Sequence, residues 1–193
     1  VLVSGAGEHI QIIGNQIHHI ETNYMGEEGG DAHGIAIYGT LAPQALKDII
    51  ISGNELYHLK LGSSEALVIN GNVDGWQIIG NKVHHANNIG MDVIGFEGVS
   101  PQQAYDQARN GLISANEIYN IDSFGNPAYG EDRSAGCIYV DGGKSIIIEK
   151  NTAHDCNIGV ELASENPGRA TSAITVRNNF IYANTEAGIA IGG

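Results

Sequence analysis

Residues 76–85 read WQIIGNKVHH, an alternation of apolar and polar residues broken by Gly-Asn and closed by a pair of imidazoles. The same phrase returns as IQIIGNQIHH at 10–19, IIISGNELYH at 49–58, GLISANEIYN at 111–120, IIIEKNTAHD at 146–155 and AITVRNNFIY at 173–182. Its asparagine falls at Asn15, Asn54, Asn81, Asn116, Asn151 and Asn179, so the unit has a fixed core and insertions of varying length. Three places before it stand Ile12, Ile51, Ile78, Ile113, Ile148 and Val176, and two places after it Ile17, Leu56, Val83, Ile118, Ala153 and Ile181.

A second anchor is a small residue that opens another alternating run: Gly34, Ala66, Gly90, Gly136, Gly159 and Gly188. Period-two alternation means strand, and a column that is apolar in every unit faces the interior in every unit. Glycine and asparagine interrupt the pattern too often for any stretch to hold a 3.6-residue period over three turns, which removes helical repeats. Short strands whose equivalent residues stack from unit to unit build a parallel solenoid. The chain therefore reads as all-β, a right-handed parallel β-helix of about six to seven coils in a single domain over 1–193. VLVSG at 1–5 reads as a partial coil and GIAIGG at 188–193 stops on a strand. Neither end shows a polar cap, so the expectation is a fragment of a longer chain lacking its end caps, or coils that stack end to end.

These recurring Gly-Asn and Gly-Ile-x-Ile phrases resemble the pectin-lyase-like superfamily, in particular bacterial proteins built of right-handed parallel β-helix repeats. The resemblance covers essentially the whole chain and implies a secreted, extracellular or cell-surface, carbohydrate-active protein. The WxDH and RxPxxR patterns of pectate lyases, the NTD, DD, GHG and RIK set of polygalacturonases and the DPH motif of alginate epimerases are absent from the sequence.

Composition narrows the partners. With 42% hydrophobic and 16% charged residues the chain has material for a core and is not disordered. Twenty-two acidic side chains against nine basic ones give a net charge of −13, which repels phosphate backbones and argues against nucleic acid. No run approaches the roughly 18 apolar residues of a membrane span, so no membrane insertion is expected. Two cysteines, Cys137 and Cys156, make neither a disulfide framework nor a metal motif, and both are expected as buried thiols.

In a solenoid the insertions build the binding surface. The long ones are IETNYMGEEGGDA at 20–32, IDSFGNPAYGEDRS at 121–134 and GVSPQQAYDQARN at 98–110, with shorter additions at 41–45 and 164–170. The first two, three coils apart, would wall a trough roughly 14 Å wide at 4.8 Å per strand, suited to a saccharide chain. Its floor would carry His58, Lys60, Ser63, Ser64, Glu65, His85, Asn87, Asn88 and Asp92, and its walls Asp31, His33, Tyr129, Glu131 and Arg133. His33, Glu65, His58, His85, Tyr129 and Arg133 are the expected substrate-binding residues.

The outward column of the second anchor reads Ala36, Val68, Asp92, Ile138, Glu161 and Ala190, so two carboxylates stand about 9.6 Å apart in an apolar column. Asp141 could shorten that separation. Asp92, Asp141 and Glu161 are therefore the expected acid, base or nucleophile of a glycoside hydrolase acting on a polysaccharide or oligosaccharide. That reading needs no cofactor. A calcium-dependent lyase would instead gather Ca²⁺ on these three with Glu97 and Glu165, and would draw a base from Lys144 or Arg133. The alternative from another class is a non-catalytic glycan-binding, adhesive or structural module. Three places after the asparagine, histidine and tyrosine alternate (His18, Tyr57, His84, Tyr119, His154, Tyr182), which suggests a metal ladder, but their recurrence in successive coils fits ring stacking better.

Overall fold

The computed structural model describes residues 1–24, 26 and 29–192, and among these there is no helix. Met25, Glu27 and Glu28, inside the first long insertion, lie outside the described residues, as does Gly193. All strands belong to three parallel sheets. The first sheet contains β1 (Leu2–Ser4), β4 (Ile35–Gly39), β7 (Leu67–Gly71), β10 (Met91–Ile94), β13 (Gly136–Asp141), β16 (Ile158–Ala163) and β19 (Ala187–Ile191), hydrogen-bonded in that order. The second contains β2 (Gly7–Ile13), β5 (Leu46–Ser52), β8 (Val73–Ile79), β11 (Arg109–Ser114), β14 (Lys144–Glu149) and β17 (Ser172–Arg177). The third contains β3 (Gln16–His18), β6 (Glu55–Leu59), β9 (Lys82–Ala86), β12 (Glu117–Ile121), β15 (Thr152–Cys156) and β18 (Phe180–Tyr182). Each strand pairs with its counterpart one coil away, which is the solenoid the repeats require.

The corners are set by backbone geometry. His9, Asp48, Gly75, Asn110, Ser145 and Ala173 take positive φ within the second sheet. Gly14, Gly53, Gly80, Ala115, Lys150 and Asn178 do so just before the asparagine, and His19, His58, His85, Asn120, Asp155 and Ala183 five residues later. Glycine, asparagine, aspartate and histidine are the residues that enter this region most readily, which explains their recurrence at these places. Between the second and third of these columns runs the asparagine ladder. Asn54, Asn81, Asn116 and Asn151 are buried, and each Nδ2 donates to the next Oδ1 at 2.9–3.0 Å and to a carbonyl of the preceding coil at 2.8–3.0 Å. A buried amide that uses both donors costs little, whereas an unpaired one costs the full desolvation.

The interior is filled by the predicted columns. Ile51, Ile78, Ile113 and Ile148 are fully buried, as are Leu56, Val83, Ile118 and Ala153. In the first sheet Ile35, Leu67, Met91, Ile138 and Val160 form one inward row through the register Ile35↔Leu67, Met91↔Leu67, Met91↔Ile138 and Ile138↔Val160. This register corrects the fourth unit by one residue. Cys137, not Gly136, occupies the small-anchor column, so Ile138 points inward and Tyr139 takes the outward position.

The same shift explains a second correction. Cys137 and Cys156 are not separate thiols on different faces but a disulfide, with Cα atoms 5.8 Å apart. Cys156 ends β15 at the position that Ile121 holds one coil before, next to the corner that leads to the first sheet. Nineteen residues separate the two cysteines, so the bridge closes most of one coil upon itself.

Candidate functional site

The outer face of the first sheet carries the chemistry. Its central row is Ala36, Val68, Asp92, Tyr139, Glu161 and Ala190, in that pairing order. Asp92 and Glu161 thus stand two strands apart, about 9.6 Å between backbones, with Tyr139 rather than Ile138 between them. The next outward row contains Tyr38, Asn70 and Ile94, with Asp141 at the end of β13. Asp141 therefore flanks the row that holds Asp92 and Glu161, as the sequence suggested.

The walls differ from expectation. The insertions at 20–32 and 121–134 do not stand apart across an open trough. A side chain at Gly29 would touch Ala128, and Asn126 Nδ2 donates to Gly62 O at 2.7 Å and Asn87 O at 2.8 Å. Asp31 Oδ1 accepts from Ser64 Oγ at 2.9 Å and from Ser63 Oγ at 3.2 Å. The two insertions and the turn at 62–64 are therefore one ridge along the edge where the third sheet passes into the first. The opposite edge is built by the β10–β11 and β16–β17 loops, joined where the Arg169 guanidinium lies 5.1 Å from the Phe96 ring. Asp106 shapes the first of these loops by accepting from the backbone of Gly98 at 2.6 Å and Ser100 at 2.8 Å. The strip of first-sheet face between ridge and loops, here called the groove, runs along the solenoid, and its floor at Ala36, Val68, Asp92 and Tyr139 is covered to 6% exposure or less.

Within this groove the carboxyl groups crowd one another. Asp92 is 2% exposed, and burial, then Glu65, Asp141 and Glu97, hold its pKa well above the carboxylate range. Burial with help from Glu97 pushes Glu65 up to about 8. Burial raises Asp141 to about 6, against the bond its Oδ1 accepts from Glu165 N at 2.8 Å. Glu161 and Glu97 are raised as well, each chiefly by burial. None of the groups acting most strongly on these five carboxyls is a lysine or arginine. Among the described residues Asp92 Oδ1 and Asn70 Oδ1 are buried without a hydrogen-bond partner. Asn70 Nδ2 donates to Glu97 Oε2 at 2.8 Å.

Aromatic and imidazole groups line the same space. His33 lies with its Nδ1 3.2 Å from Glu65 O and 3.6 Å from the Glu65 carboxylate. The Tyr38 hydroxyl is 3.2 Å from its Nε2. Burial lowers the His33 pKa, so the neutral ring donates from Nδ1 to the carbonyl and accepts the tyrosine proton at Nε2. The expected His33–Glu65 pair is thus real, with Tyr38 as its third member. Tyr129 accepts at its hydroxyl from Asn88 Nδ2 at 3.3 Å, which ties the ridge to the groove. The Tyr139 hydroxyl donates to Glu165 Oε1 at 3.5 Å. Tyr38, Asn70 and Tyr139 were not among the expected site residues. The first two lie two residues beyond the outward row, and Tyr139 was hidden by the one-residue slip.

Other expected residues stand elsewhere. His58 and His85 belong to the third sheet, at the positive-φ corner column, with ring centroids 5.1 Å apart, and line a separate concavity with His19 and Lys60. They do not share the groove floor with Asp92. Arg133 is exposed, ion-paired with Asp122 and stacked 4.6 Å from the Phe124 ring, so its charge is used within the loop. Lys144 opens β14 in the second sheet. Among the described residues no three histidine, cysteine, aspartate or glutamate side chains converge on a point that would hold a metal ion. The calcium set expected around Glu97 and Glu165 is therefore not assembled. His18, Tyr57, His84, Tyr119, His154 and Tyr182 form a continuous ring stack with centroids 4.7–5.3 Å apart, the packing use of these side chains. A concavity of about 620 Å³ over the second sheet follows the positive-φ bend past Asp48, Gly75 and Asn110, and gathers no more than Asp48 and Asp74 as titratable groups.

Three parallel sheets wound coil upon coil, with an internal asparagine ladder and a carboxyl-lined groove on one face, define a right-handed parallel β-helix. The chain belongs to the family described as the right handed beta helix region, whose model matches residues 1–193. It is 47% identical over 193 residues to the "Uncharacterized protein YwoF" of Bacillus subtilis (strain 168), and covers 100% of this chain and 40% of that relative. The chain thus spans less than half the length of the curated relative it matches. The crystal structure of the periplasmic alginate epimerase AlgG superposes with a TM-score of 0.42 at 14% identity, over 82% of this chain and 44% of that one. So loose a likeness bears on neither substrate nor site. Among the described residues no helix is long and apolar enough to cross a membrane.

Proposed function

We propose that this β-helix binds a polysaccharide along the groove on the first sheet and hydrolyses it there. The observation that carries the reading is the row Asp92–Tyr139–Glu161 with Asp141 beside it. A carboxyl held up at about 6, as Asp141 is, keeps its proton at mildly acidic pH and can serve as the general acid. Glu161, half-buried and closer to solvent than Asp92, is the base or nucleophile. Asp92, in the same row two strands from Glu161, acts on both through its charge state. Tyr38 and Tyr129, both half-buried, offer ring faces for sugar stacking.

Hydrolysis ranks above lyase chemistry because neither Lys144 nor Arg133 faces the groove and no calcium set is gathered. The Cys137–Cys156 disulfide supports a secreted or cell-surface location, since such bonds persist in oxidising compartments. One observation favours the non-catalytic, glycan-binding reading instead. Asp92 and Asp141 are each 2% exposed, so substrate must displace neighbours to reach them.

The deciding experiment incubates the protein with neutral and uronate polysaccharides, with calcium or with chelator, and follows reducing ends and the absorbance of unsaturated products. Reducing ends without the chromophore, lost in Asp141→Asn and Glu161→Gln, support the hydrolase. Calcium-dependent chromophore overturns it in favour of a lyase, and silence on both from folded protein leaves a binding module.

A further inference from the structure

No lysine or arginine is among the groups that act most strongly on the groove carboxyls, and the donors there are tyrosine hydroxyls, side-chain amides and the carboxyls' own protons. Glu65, Asp92, Glu97, Asp141 and Glu161 act on one another, and the charged groups nearest them are further carboxylates, Asp31, Asp106 and Glu165. The imidazole of His33 is neutral and already engaged on both nitrogens. A uronate chain entering this space would add negative charge to a site that cannot hold its own carboxyls ionised. A neutral sugar brings hydroxyls that both donate and accept, but no charge to balance these carboxyls once they ionise.

Two atoms sharpen the point. Asn70 Oδ1, an acceptor, and Asp92 Oδ1, an acceptor once that carboxyl ionises, are both buried on residues 2% exposed, and among the described residues neither has a partner. They stand on adjacent strands, since Asp92 pairs with Val68 and Ile94 with Asn70, so both project outward from neighbouring positions of one face. Burying an acceptor unpaired costs on the order of 1–3 kcal/mol, and an ionised Asp92 and Asn70, two residues out of register on neighbouring strands, would both take a donor. The side chain reaching over Asn70 is Glu97, an exposed residue of the β10–β11 loop attached there through Asn70 Nδ2.

We infer that the groove is built for a glycan carrying free amino groups, one ammonium of which sits on the floor between Asp92 and Asn70, with Glu65 and Glu97 supplying the balancing charge. An ammonium is a compact cation with three donors and no acceptor, which matches two orphan acceptors among carboxylates. The inference rests on the polysaccharide reading of the same groove and names the substrate class for it. Its signature is proton release. Carboxyls that are protonated in the empty groove must ionise when the cation arrives, so binding discharges protons into the buffer.

The test compares a β-linked glucosamine hexamer, its N-acetylated counterpart and a galacturonate hexamer by titration calorimetry at pH 5.5, in two buffers of different ionisation enthalpy. The expected result is binding of the glucosamine hexamer at least tenfold tighter than the other two, with protons released. Affinity should fall at least fivefold in Asp92→Asn. Because Asp92 is buried, the exposed Glu97→Gln is measured in parallel and should lose severalfold affinity with an unchanged circular dichroism spectrum. Equal or tighter binding of the acetylated or galacturonate hexamer, or glucosamine binding indifferent to both substitutions, overturns the inference. Cleavage is scored separately. Binding of the glucosamine hexamer without cleavage leaves the inference standing and removes the hydrolase, whereas cleavage of a neutral glycan without glucosamine binding does the reverse.

Discussion

Asp92 on β10 is paired with Tyr139 on β13, and the same tyrosine is paired on its other side with Glu161 on β16. A phenol that is 6% exposed thus separates the buried carboxyl from the half-buried one and contributes to the burial that raises the pKa of both.

Activity should follow the charge of Asp141. Its pKa of about 6 makes the acid form abundant below that pH and scarce above it. In a pH profile, kcat/KM is expected to fall roughly tenfold per unit well above pH 6. Asp141→Asn should lower kcat by about 10²-fold or more and abolish that limb of the profile, and a profile unchanged in the variant would remove Asp141 as the acid.

Stability should fall as pH rises. Glu65 binds its proton more tightly in the folded protein, at about 8 against an ordinary 4.5, and Asp92 shifts in the same direction. The folded state therefore gains from these groups fully below about pH 4.5 and loses that gain as pH climbs through 8. Urea melts should show a loss on the order of 2–4 kcal/mol across this window. The loss should shrink in Glu65→Gln, whose side chain mimics the protonated form, and an equal slope in that variant would contradict the assignment.

Gly111 should tolerate no side chain. A Cβ there would lie 2.0 Å from the Trp76 ring, which fills the space one coil away on β8. Gly111→Ala is expected to cost at least about 2 kcal/mol through overpacking and to alter the fluorescence of Trp76, the one tryptophan of the chain. Wild-type stability in that variant would show that the ring moves freely.

Removing the disulfide should cost about 3 kcal/mol, the loop-closure value for a ring of this size. The double variant Cys137→Ala/Cys156→Ala should melt correspondingly lower, and thiol titration of the native protein should find no reactive cysteine.

The solenoid was legible because its columns repeat. Any single strand, such as 49–52, is too short to assign, but Ile12, Ile51, Ile78, Ile113 and Ile148 together leave one facing direction. The fourth unit misled because Gly136 precedes Cys137 and looks like the anchor that its neighbours carry one place later. That slip concealed both Tyr139 in the outward row and the proximity of Cys137 to Cys156. The loops were legible only as lengths. Their contact through Gly29, Ala128 and Asn126 has no repeat behind it, so no column could show that two insertions three coils apart would meet. His58 and His85 misled for a related reason, because a backbone requirement for positive φ selects histidine as readily as chemistry does.

The bridge between Cys137 and Cys156 bears on how this molecule responds to tension. A solenoid held only by neighbour-to-neighbour ladders peels one coil at a time when its ends are pulled, each coil paying out its contour length. The bridge spans 19 positions of sequence, so a pulling force passes through the sulfur atoms and the enclosed segment stays slack. Roughly 65 Å of chain, at about 3.4 Å per residue, is thereby withheld from extension. The withheld segment carries Tyr139 and Asp141, so this part of the groove floor cannot be drawn out as thread.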